Sequence, residues 1–436
     1  MNTYRIMTGD AIEQLRTLPD RSVHCVVTSP PYWGLRDYGT ATWEGGDFEC
    51  DHKPGNARRV GATTLGGGTA TSGHQHEGFR DLCGKCGARR IDNQIGLETT
   101  PAQYVARLVD VFEEVRRVLR PDGTLWLNLG DSYASGKGTC YNPGGGAGSF
   151  VQDKERYPLD RGSVISLREN GLKPKDLVGI PWRVAFALQD AGWWLRAEII
   201  WAKKAPMPES VQDRPTRSHE HIFLLTKAAR YFYDAEAVRE AMVKGAAGST
   251  FVDGKTGVNG QGRQSQAERT DNGAGRNQRD VWLLGPEPYP DAHFATFPTE
   301  IPRRAILAGT SERGCCPACG APWRRVVKGS GTGPQRKGRK NEQVRLTRFA
   351  GAEWEKWKAE NPNVTTGWQP TCTCDASEPV PCTVLDPFGG SGTTAAVAIE
   401  QGRNAIICEL NPTYVGLARR RIRVVAPLLS EEVFAS

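Results

Sequence analysis

The sequence Val384-Leu-Asp-Pro-Phe-Gly-Gly-Ser-Gly392 begins as an apolar strand and runs into a glycine-rich turn. Residues 393–401 then follow a helical pattern, and residues 403–410 form a second apolar segment that carries Glu409 near its end. This order predicts a βαβ unit that cradles a nucleotide. Glycines let a ligand approach the backbone, and an acidic residue at the next strand end can bind ribose hydroxyls. At this point a dinucleotide, a nucleotide and S-adenosylmethionine are all compatible ligands.

Apolar and helical segments alternate through the rest of the chain. Residues 100–120 give the clearest helix: Thr100 can cap it, Pro101 suits its first turn and Gln103 completes a capping box. Further helices are predicted over residues 11–18 and 177–191, and strands over residues 4–8, 22–28, 124–129, 193–201 and 222–225. Strands that alternate with helices predict an α/β fold with a mixed, mostly parallel sheet.

The composition limits the class of protein. The chain has 436 residues and a formal net charge of +7, a balance that suits a polyanionic partner. No apolar run approaches the roughly 20 residues that a membrane span needs, and the first residues lack the apolar core of an export signal. A cytoplasmic protein with no membrane partner is therefore expected. Three long polar segments, residues 133–170, 241–280 and 328–368, are either disordered linkers or loops that become ordered on a polyanion.

A second informative stretch is Thr28-Ser-Pro-Pro-Tyr-Trp33, at the end of a predicted strand, where open α/β sheets bind their ligands. Its two prolines have no N–H group, so the turn presents acceptors only. Acceptors aimed at the two hydrogens of an exocyclic amine on a base would favour a pyramidal, more nucleophilic nitrogen, and Ser29 Oγ and the Pro30 carbonyl are the candidates. Tyr32 offers an aromatic face on which a base swung out of a duplex can stack. Taken alone, the motif is more often a plain structural Pro-Pro loop.

Together the two stretches resemble the permuted, β-type family of DNA amino-methyltransferases, which act on adenine N6 or cytosine N4. The family's catalytic tetrapeptide is Asp, Asn or Ser followed by Pro-Pro and an aromatic residue. Residues 29–32 match it, and the cofactor loop is matched by Asp386, Phe388, Gly389, Gly390 and Gly392. Residues 9–10, 219–225 and 293–298 are similar to further segments of the family. The likeness covers the sheet-forming regions and none of the inserts.

The resemblance implies the Rossmann-like fold of S-adenosylmethionine-dependent methyltransferases. It also implies direct methyl transfer from the sulfonium to the amine of a flipped base in double-stranded DNA. The expected catalytic residues are Ser29, Pro30, Pro31 and Tyr32. The expected cofactor-binding residues are Asp386, Pro387, Phe388, Gly389, Gly390, Ser391, Gly392, Glu409 and Asn411. The expected substrate-binding residues are Asp10, Trp33 and Arg36.

The first residue of the tetrapeptide bears on which base is methylated. Serine is commoner there in the cytosine-N4 group and aspartate in the adenine-N6 group, so Ser29 favours cytosine N4, with adenine N6 as the alternative. An RNA or protein-amide methyltransferase and a non-catalytic, zinc-bearing DNA-binding protein are further alternatives. The resemblance also allows for a cognate restriction endonuclease as a partner, and for a bacterial or phage-infected host cell.

Several of the 12 cysteines stand in metal-ligand spacing, which in a reducing compartment points to zinc rather than to disulfides. Two Cys-x-x-Cys-Gly knuckles repeat one another, at residues 83–87 and 316–320. The second can be completed by Cys372 and Cys374, giving a set with Cys316 and Cys319. The first, with Cys83 and Cys86, can be completed by Cys50 and His52, or by His74 and His76 as substitutes. Two structural Zn²⁺ ions are expected, with incidental buried thiols as the alternative. The other cysteines are expected to pack as small apolar residues, namely Cys25, Cys140, Cys315, Cys382 and Cys408.

The predicted organisation is one catalytic core interrupted by inserts. Residues 1–39 carry the catalytic motif, residues 99–235 continue the core, and residues 291–314 and 380–426 bind the cofactor. Residues 40–98 and 315–379 are the two knuckle inserts, and residues 236–290 are the candidate target-recognition region. The arginines considered for contacts to phosphate or guanine are Arg36, Arg214, Arg263, Arg269, Arg276 and Arg279.

Overall fold

The computed structural model describes residues 2–34, 40–52, 83–98, 100–134, 140–141, 171–173, 175–240, 276–285, 287, 297–328, 360–361, 363–375, 378–425 and 430–433. For residues 140, 141, 430 and 431 it describes the backbone alone. The predictions that concern Arg36, His74, His76, Arg263, Arg269, residues 293–296 and most of the three polar segments lie outside these residues.

Strands and helices alternate along the described chain. The strands are β1 (Asn2–Thr8), β2 (Val23–Thr28), β3 (Thr42–Glu44), β4 (Arg89–Ile91), β5 (Leu119–Leu129), β6 (Tyr133–Ala134), β7 (Cys140–Tyr141), β8 (Trp194–Lys203), β9 (His219–Thr226), β10 (Val281–Leu284), β11 (Trp323–Lys328), β12 (Val364–Pro370), β13 (Thr383–Asp386), β14 (Asn404–Glu409) and β15 (Ser430–Glu432). The helices are α1 (Ala11–Arg16), α2 (Pro101–Val118), α3 (Ile180–Asp190), α4 (Glu300–Gly309), α5 (Thr393–Glu400) and α6 (Pro412–Val425).

A nine-stranded sheet has the order β10-β8-β9-β5-β2-β13-β14-β1-β15. Neighbouring strands run parallel except for β9, which is antiparallel to both β5 and β8. This arrangement confirms the expected mixed, mostly parallel sheet. One consequence is central to the site. Because β9 runs the other way, its first residues lie at the edge where the parallel strands end.

The central strand β2 is buried along its whole length, as the continuous apolar run of a strand covered on both faces requires. It pairs with β5 on one side and β13 on the other, so residues 22–28 and 384–392, far apart in sequence, end side by side. The predicted helix over residues 100–120 is α2, in which the Gln103 amide donates to Thr100 Oγ1 at 3.1 Å. Its buried stripe has the predicted helical spacing and comprises Tyr104, Leu108, Val111, Val115 and Val118.

Several predicted boundaries differ from those of the structure, such as that of β9, which begins at His219 and not at residue 222. Two of the differences have local reasons. Helix α3 begins at Ile180 and not at residue 177, because Gly179 adopts a left-handed φ of 76° and Pro181 takes the first turn. Strand β5 begins at Leu119 and not at residue 124, because the chain leaves α2 with Leu119 already in an extended conformation.

The chain divides into two compact units. One comprises residues 1–232, 280–310 and 381–436 and contains the nine-stranded sheet, and the other comprises residues 233–279 and 311–380. In the second unit, β11 and β12 form an antiparallel pair. There the Arg325 guanidinium contacts both Asp234 at 3.0 Å and Glu312 at 2.6 Å. Within the described residues, the helices are all too short or too polar to cross a membrane.

Candidate active site

A cleft of about 490 Å³ opens at the carboxyl edge of the large sheet. Its walls come from the segments that follow β1, β2, β5, β13 and β14, and from both ends of the β8–β9 connection. This is where ligands bind in open α/β sheets. The predicted residues that line it are Asp10, Ser29, Pro30, Pro31, Tyr32, Asp386, Pro387, Phe388, Gly389, Gly390, Ser391 and Glu409.

The Ser-Pro-Pro-Tyr segment leaves β2 directly into this cleft. The hydroxyl of Tyr104, on α2, donates a hydrogen bond of 2.8 Å to the Pro31 carbonyl, which fixes the second proline against the core. Among the described residues, none donates a hydrogen bond to the Pro30 carbonyl. Ser29 Oγ and the Pro30 carbonyl therefore remain the two acceptors that the segment offers to a ligand.

Tyr32 is held at both ends of its side chain. Its ring packs so tightly on Gly130 that a β-carbon there would lie 2.5 Å from Tyr32 Cε2. Its hydroxyl donates to a carboxylate oxygen of Glu220 at 2.6 Å. Burial, with the charge of Glu220, holds the pKa of Tyr32 well above its ordinary value, so the phenol stays protonated.

Glu220 lies at the start of β9 and is the centre of a polar network. Its carboxylate accepts from Asn128 Nδ2 at 3.0 Å and contacts Lys203 Nζ at 2.6 Å. Burial alone would raise the pKa of Glu220. The Lys203 ammonium and the hydrogen bonds from Tyr32 and Asn128 outweigh burial and bring that pKa below its ordinary value. Glu220 is therefore ionised at neutral pH.

Asp386 joins the glycine-rich loop to the catalytic segment. Its carboxylate accepts from Thr28 Oγ1 at 2.6 Å, from Thr394 Oγ1 at 2.8 Å and from the Phe388 amide at 3.0 Å. Burial raises the pKa of Asp386 to about 6, against the effect of these hydrogen bonds. Because three hydrogen bonds from neighbouring residues already reach its carboxylate, the role of Asp386 is to hold the backbone of the glycine-rich loop in place.

Glu409 ends β14 opposite the same loop. Its carboxylate accepts from the amides of Gly390 at 2.7 Å and Asn411 at 2.8 Å. The Leu410 amide also interacts with the carboxylate. A carboxylate has about four acceptor positions, so Glu409 can still accept from a hydroxyl group of a ligand. Burial raises the pKa of Glu409, and these amides lower it again in part.

Three predicted residues, Trp33, Gly392 and Asn411, do not line the cleft, and Asp10 lines it at some distance from the Ser-Pro-Pro-Tyr segment. Trp33 is 1% exposed in the core and donates to the Glu98 carbonyl at 2.8 Å, so it does not face a substrate. Asp10 caps α1 at the end of β1, beside the strand that carries Glu409 rather than beside the catalytic segment. Asn411 and Gly392 do not line the cleft.

The latter two residues have structural contacts instead. Asn411 accepts from the Thr413 amide at 2.9 Å at the start of α6. Gly392 adopts a φ of +78° at the start of α5, and a β-carbon there would lie 2.8 Å from that of Ala418. Close packing of the two helices therefore requires glycine at this position.

The described candidate arginines are paired with acidic residues. Arg276 and Arg279 contact the Glu240 carboxylate at 3.0 and 2.9 Å. Arg214 contacts Glu209 at 2.6 Å and stacks over the ring of Tyr133 at 3.8 Å. Contact with a phosphate or a base would have to compete with these pairs.

The first predicted metal set comes together as expected. The ligand atoms of Cys50, His52, Cys83 and Cys86 lie within 4.8 Å of one another. The sulfurs of Cys50 and Cys83 are 3.8 Å apart, the separation expected of two thiolates at about 2.3 Å from one tetrahedral zinc ion. His52 presents Nδ1, which lies 3.3 Å from the Cys86 sulfur.

The second set, Cys316, Cys319, Cys372 and Cys374, also brings its sulfurs within 4.8 Å of one another. The two knuckles share one backbone geometry. The amides of Gly87 and Gly320 donate to the carbonyls of Cys83 and Cys316 at 3.0 and 2.8 Å. Both glycines are left-handed, with φ values of 73° and 72°. The repeat seen in the sequence is therefore a repeat in structure.

The remaining described cysteines are buried, as expected, but Cys315 and Cys382 lie beside His24, with the two sulfurs and one imidazole nitrogen within 4.8 Å of one another. These buried cysteines are Cys25, Cys315, Cys382 and Cys408. The side chain of Cys140 lies outside the described part of the chain.

Sequence reasoning missed several residues of the cleft. Asn128 is a polar residue in an otherwise apolar strand, a signal that could have singled it out. Glu220 and Lys203 lie on β9 and β8, and their meeting depends on strand pairing that the sequence alone does not give. The segment that follows β4 also lines the cleft, through Asn93, Gln94 and Ile95.

The sequence is similar to those of known DNA methyltransferases. A family described as DNA methylase, with N6 and N4 specificities in its name, matches residues 23–316 and 376–420. The chain is 34% identical to the type II methyltransferase M.Cfr9I of Citrobacter freundii over 97% of this chain and 89% of that protein. It is 35% identical to M.XycI of Xanthomonas campestris pv. cyanopsidis over 96% of this chain and 87% of that protein. Among solved structures, the cytosine-N4-specific PvuII DNA methyltransferase aligns over 99% of this chain and 94% of its own, with 13% identity and a TM-score of 0.46.

Proposed function

The chain belongs to the N6/N4 family of S-adenosylmethionine-dependent DNA methylases, and we propose that it methylates the N4 amine of cytosine in double-stranded DNA. The observation that carries the choice of base is Ser29 at the first position of the catalytic segment. Its hydroxyl lines the cleft and can accept from an exocyclic amine. Adenine N6 is the alternative within the same family and mechanism.

We propose that the methyl donor binds where the glycine-rich loop faces Glu409. The backbone of Gly389 and Gly390 lets the ligand approach, and the remaining acceptor capacity of Glu409 suits a ribose hydroxyl. Phe388, also in the cleft wall, suits the adenine ring. The bound cofactor supplies an electrophilic methyl group.

The base would enter beside the catalytic segment. A cytosine in a duplex cannot reach this cleft while stacked, so flipping of the target nucleotide is required. We propose that the Tyr32 ring, fixed by Gly130 and Glu220, stacks on the flipped base. Ser29 Oγ and the Pro30 carbonyl would then accept from the two hydrogens of the amine and orient its lone pair towards the methyl group.

We propose one structural zinc ion in each knuckle set. Three thiolates with one imidazole, and four thiolates, are donor sets of closed tetrahedral zinc sites. The first set would hold β3 and β4 together, and β4 leads directly into the cleft residues 93–95. That ion would therefore act on the shape of the cleft without taking part in methyl transfer.

The relatives named above are type II methyltransferases, and we propose that this chain also protects DNA against a cognate restriction endonuclease. Protection can be tested directly. Plasmid recovered from cells that express the chain would resist cleavage by an endonuclease that cuts at the methylated sequence.

The test of the base assignment is mass spectrometry of nucleosides from unmethylated plasmid DNA incubated with the protein and S-adenosylmethionine. We expect N4-methylcytosine. N6-methyladenine instead would retain the family and overturn the argument from Ser29. A reaction with the Ser29→Ala protein, which we expect to be inactive, controls for methylation carried over from the expression host.

A further inference from the structure

The hydroxyls of the catalytic segment form a chain that ends on a carboxylate. Ser29 Oγ donates to Tyr32 Oη at 3.3 Å, and Tyr32 Oη donates to Glu220 at 2.6 Å. Asn128 Nδ2 lies beside the chain and donates to all three residues, at 3.3, 2.8 and 3.0 Å. Both hydroxyl protons therefore point along the wall of the cleft towards Glu220.

We propose that Glu220 is the final proton acceptor of the methylation reaction, reached through Ser29 and Tyr32. This assignment rests on the catalytic segment proposed above, but it holds for either exocyclic amine and does not depend on the choice of cytosine.

The proton balance is simple. When the amine nitrogen bonds to the methyl carbon, the carbon–sulfur bond breaks and the sulfonium becomes a neutral thioether. The nitrogen is then cationic and loses one proton to Ser29 Oγ. The Ser29 proton moves to Tyr32 Oη, and the Tyr32 proton moves to Glu220, which becomes neutral. After the product leaves, the proton returns to water through the open cleft.

The charges around Glu220 suit this role. An N-methylated aminium on an aromatic base is a strong acid. A weak base such as a carboxylate can therefore accept its proton, provided that the carboxylate is ionised. Lys203, from β8, keeps Glu220 ionised, and its side chain is one-third exposed. The other groups that face Glu220 are the neutral Tyr32 and Asn128, and His219 adjoins it on β9. Burial, with the charges of His221 and Arg217, lowers the pKa of His219, so it too is neutral at neutral pH.

Asn128 sets the direction of the chain. Its Nδ2 faces the ionised carboxylate, and turning the amide round would bring Oδ1 against that negative charge instead. This orientation has a cost, since Asn128 Oδ1 is buried and no group in the described part of the chain donates a hydrogen bond to it. Asn128 is thus a positioning residue that acts through the charge of Glu220.

The test is the single-turnover rate of methyl transfer from labelled S-adenosylmethionine to unmethylated plasmid DNA, with the protein in excess over DNA. Label is counted in total DNA, so cytosine and adenine products contribute equally. For Glu220→Gln and for Tyr32→Phe we expect the rate of methyl transfer to fall by at least about tenfold. Such a fall corresponds to an increase in the activation free energy similar to that of one lost hydrogen bond. Affinities for cofactor and DNA, measured by titration, should be unchanged. The double variant should be no slower than the slower single variant, because both changes break one relay.

The matched control is Glu198→Gln. Glu198 lies on the neighbouring strand and contacts His221 at 2.6 Å, outside the cleft, so this variant should keep the wild-type rate. A pH profile provides a readout that a structural role would not move. Without Lys203 the pKa of Glu220 rises. As the pH is lowered, the rate of Lys203→Met should therefore begin to fall at a higher pH than the rate of the wild type. Wild-type rates in Glu220→Gln, multiplied losses in the double variant, or an unmoved profile in Lys203→Met would each overturn the relay.

Discussion

The hydroxyl of Thr28 donates a hydrogen bond of 2.6 Å to Asp386, a residue 358 positions away in the chain. Thr28 is the last residue of β2 before the catalytic segment, and Asp386 is the last residue of β13 before the glycine-rich loop. This contact ties the start of the glycine-rich loop to the end of the strand that precedes the Ser-Pro-Pro-Tyr segment. In the reaction proposed above, these two segments hold the methyl donor and the base, and misplacement of reacting groups by about 1 Å is enough to slow an enzyme strongly.

Replacement of Thr28 by valine should therefore weaken cofactor binding. Valine keeps the shape but removes one of the two donors to Asp386 Oδ1, so that the Phe388 amide alone remains. A hydrogen bond to a charged group contributes about 1.5–3 kcal/mol. We expect the dissociation constant for S-adenosylmethionine, measured by calorimetric titration, to rise about tenfold. Thr28→Ser keeps the hydroxyl and is the control. Equal affinities for the valine variant and the wild type would show that the contact does not shape the loop.

The buried Asp386 carboxyl should make stability depend on pH. Its pKa is raised from 3.8 to about 6 in the folded protein, so between these values the folded state binds more protons than the unfolded state. The contribution of Asp386 to the free energy of unfolding therefore falls as pH rises from about 4 to about 6 and is then constant. The neutral Asp386→Asn should gain in melting temperature relative to the wild type between pH 4.5 and pH 7. A difference that stays the same across this range would contradict the raised pKa.

Alanine substitutions at two glycines with the same backbone angle can separate the cost of backbone strain from the cost of side-chain crowding. Gly392 and Gly402 both have a φ of +78°, but a β-carbon at Gly392 would meet Ala418 at 2.8 Å, while one at Gly402 would meet only Asn2 Nδ2 at 4.0 Å. Gly402→Ala should cost about 1 kcal/mol, the price of a left-handed alanine. Gly392→Ala should cost about 1–3 kcal/mol more, because α5 and α6 must move apart. Melting temperatures of the two variants test this, and equal losses would exclude crowding.

Zinc content tests the knuckles. We expect about two zinc ions per chain in the purified wild type, and about one in either Cys86→Ser or Cys319→Ser, because a closed tetrahedral site needs all four ligands. Cys25→Ala removes a buried cysteine that belongs to neither set and should keep both ions. Elemental analysis that finds none in the wild type would leave the clusters as reduced thiols.

The parts of the site that could be predicted lie within single strand–loop units. Ser29, Asp386 and Glu409 each follow or end an apolar strand, so a local pattern places them at one sheet edge. The metal sets were predictable for the same reason, because two ligands of each come from one short knuckle.

The parts that could not be predicted depend on tertiary pairing. Glu220 reaches the cleft because β9 runs antiparallel to its neighbours. The sequence of β9 does not reveal in which direction the strand runs. Trp33 shows the opposite case, a residue that was predicted to bind the substrate and that the structure places in the core. It follows the catalytic tyrosine directly, but the chain turns there and its indole nitrogen pairs with the Glu98 carbonyl in the core.

The order of strands in the sheet has a consequence for folding. Strand β1 pairs with β14 and β15, which are distant in sequence, and Tyr4 lies beside Ala405. Contacts between segments this distant in sequence form slowly. The cleft wall takes Gly9 and Asp10 from the segment after β1, and Glu409 from the end of β14. This part of the cleft is therefore assembled only when the long-range pairing of β1 with β14 has formed.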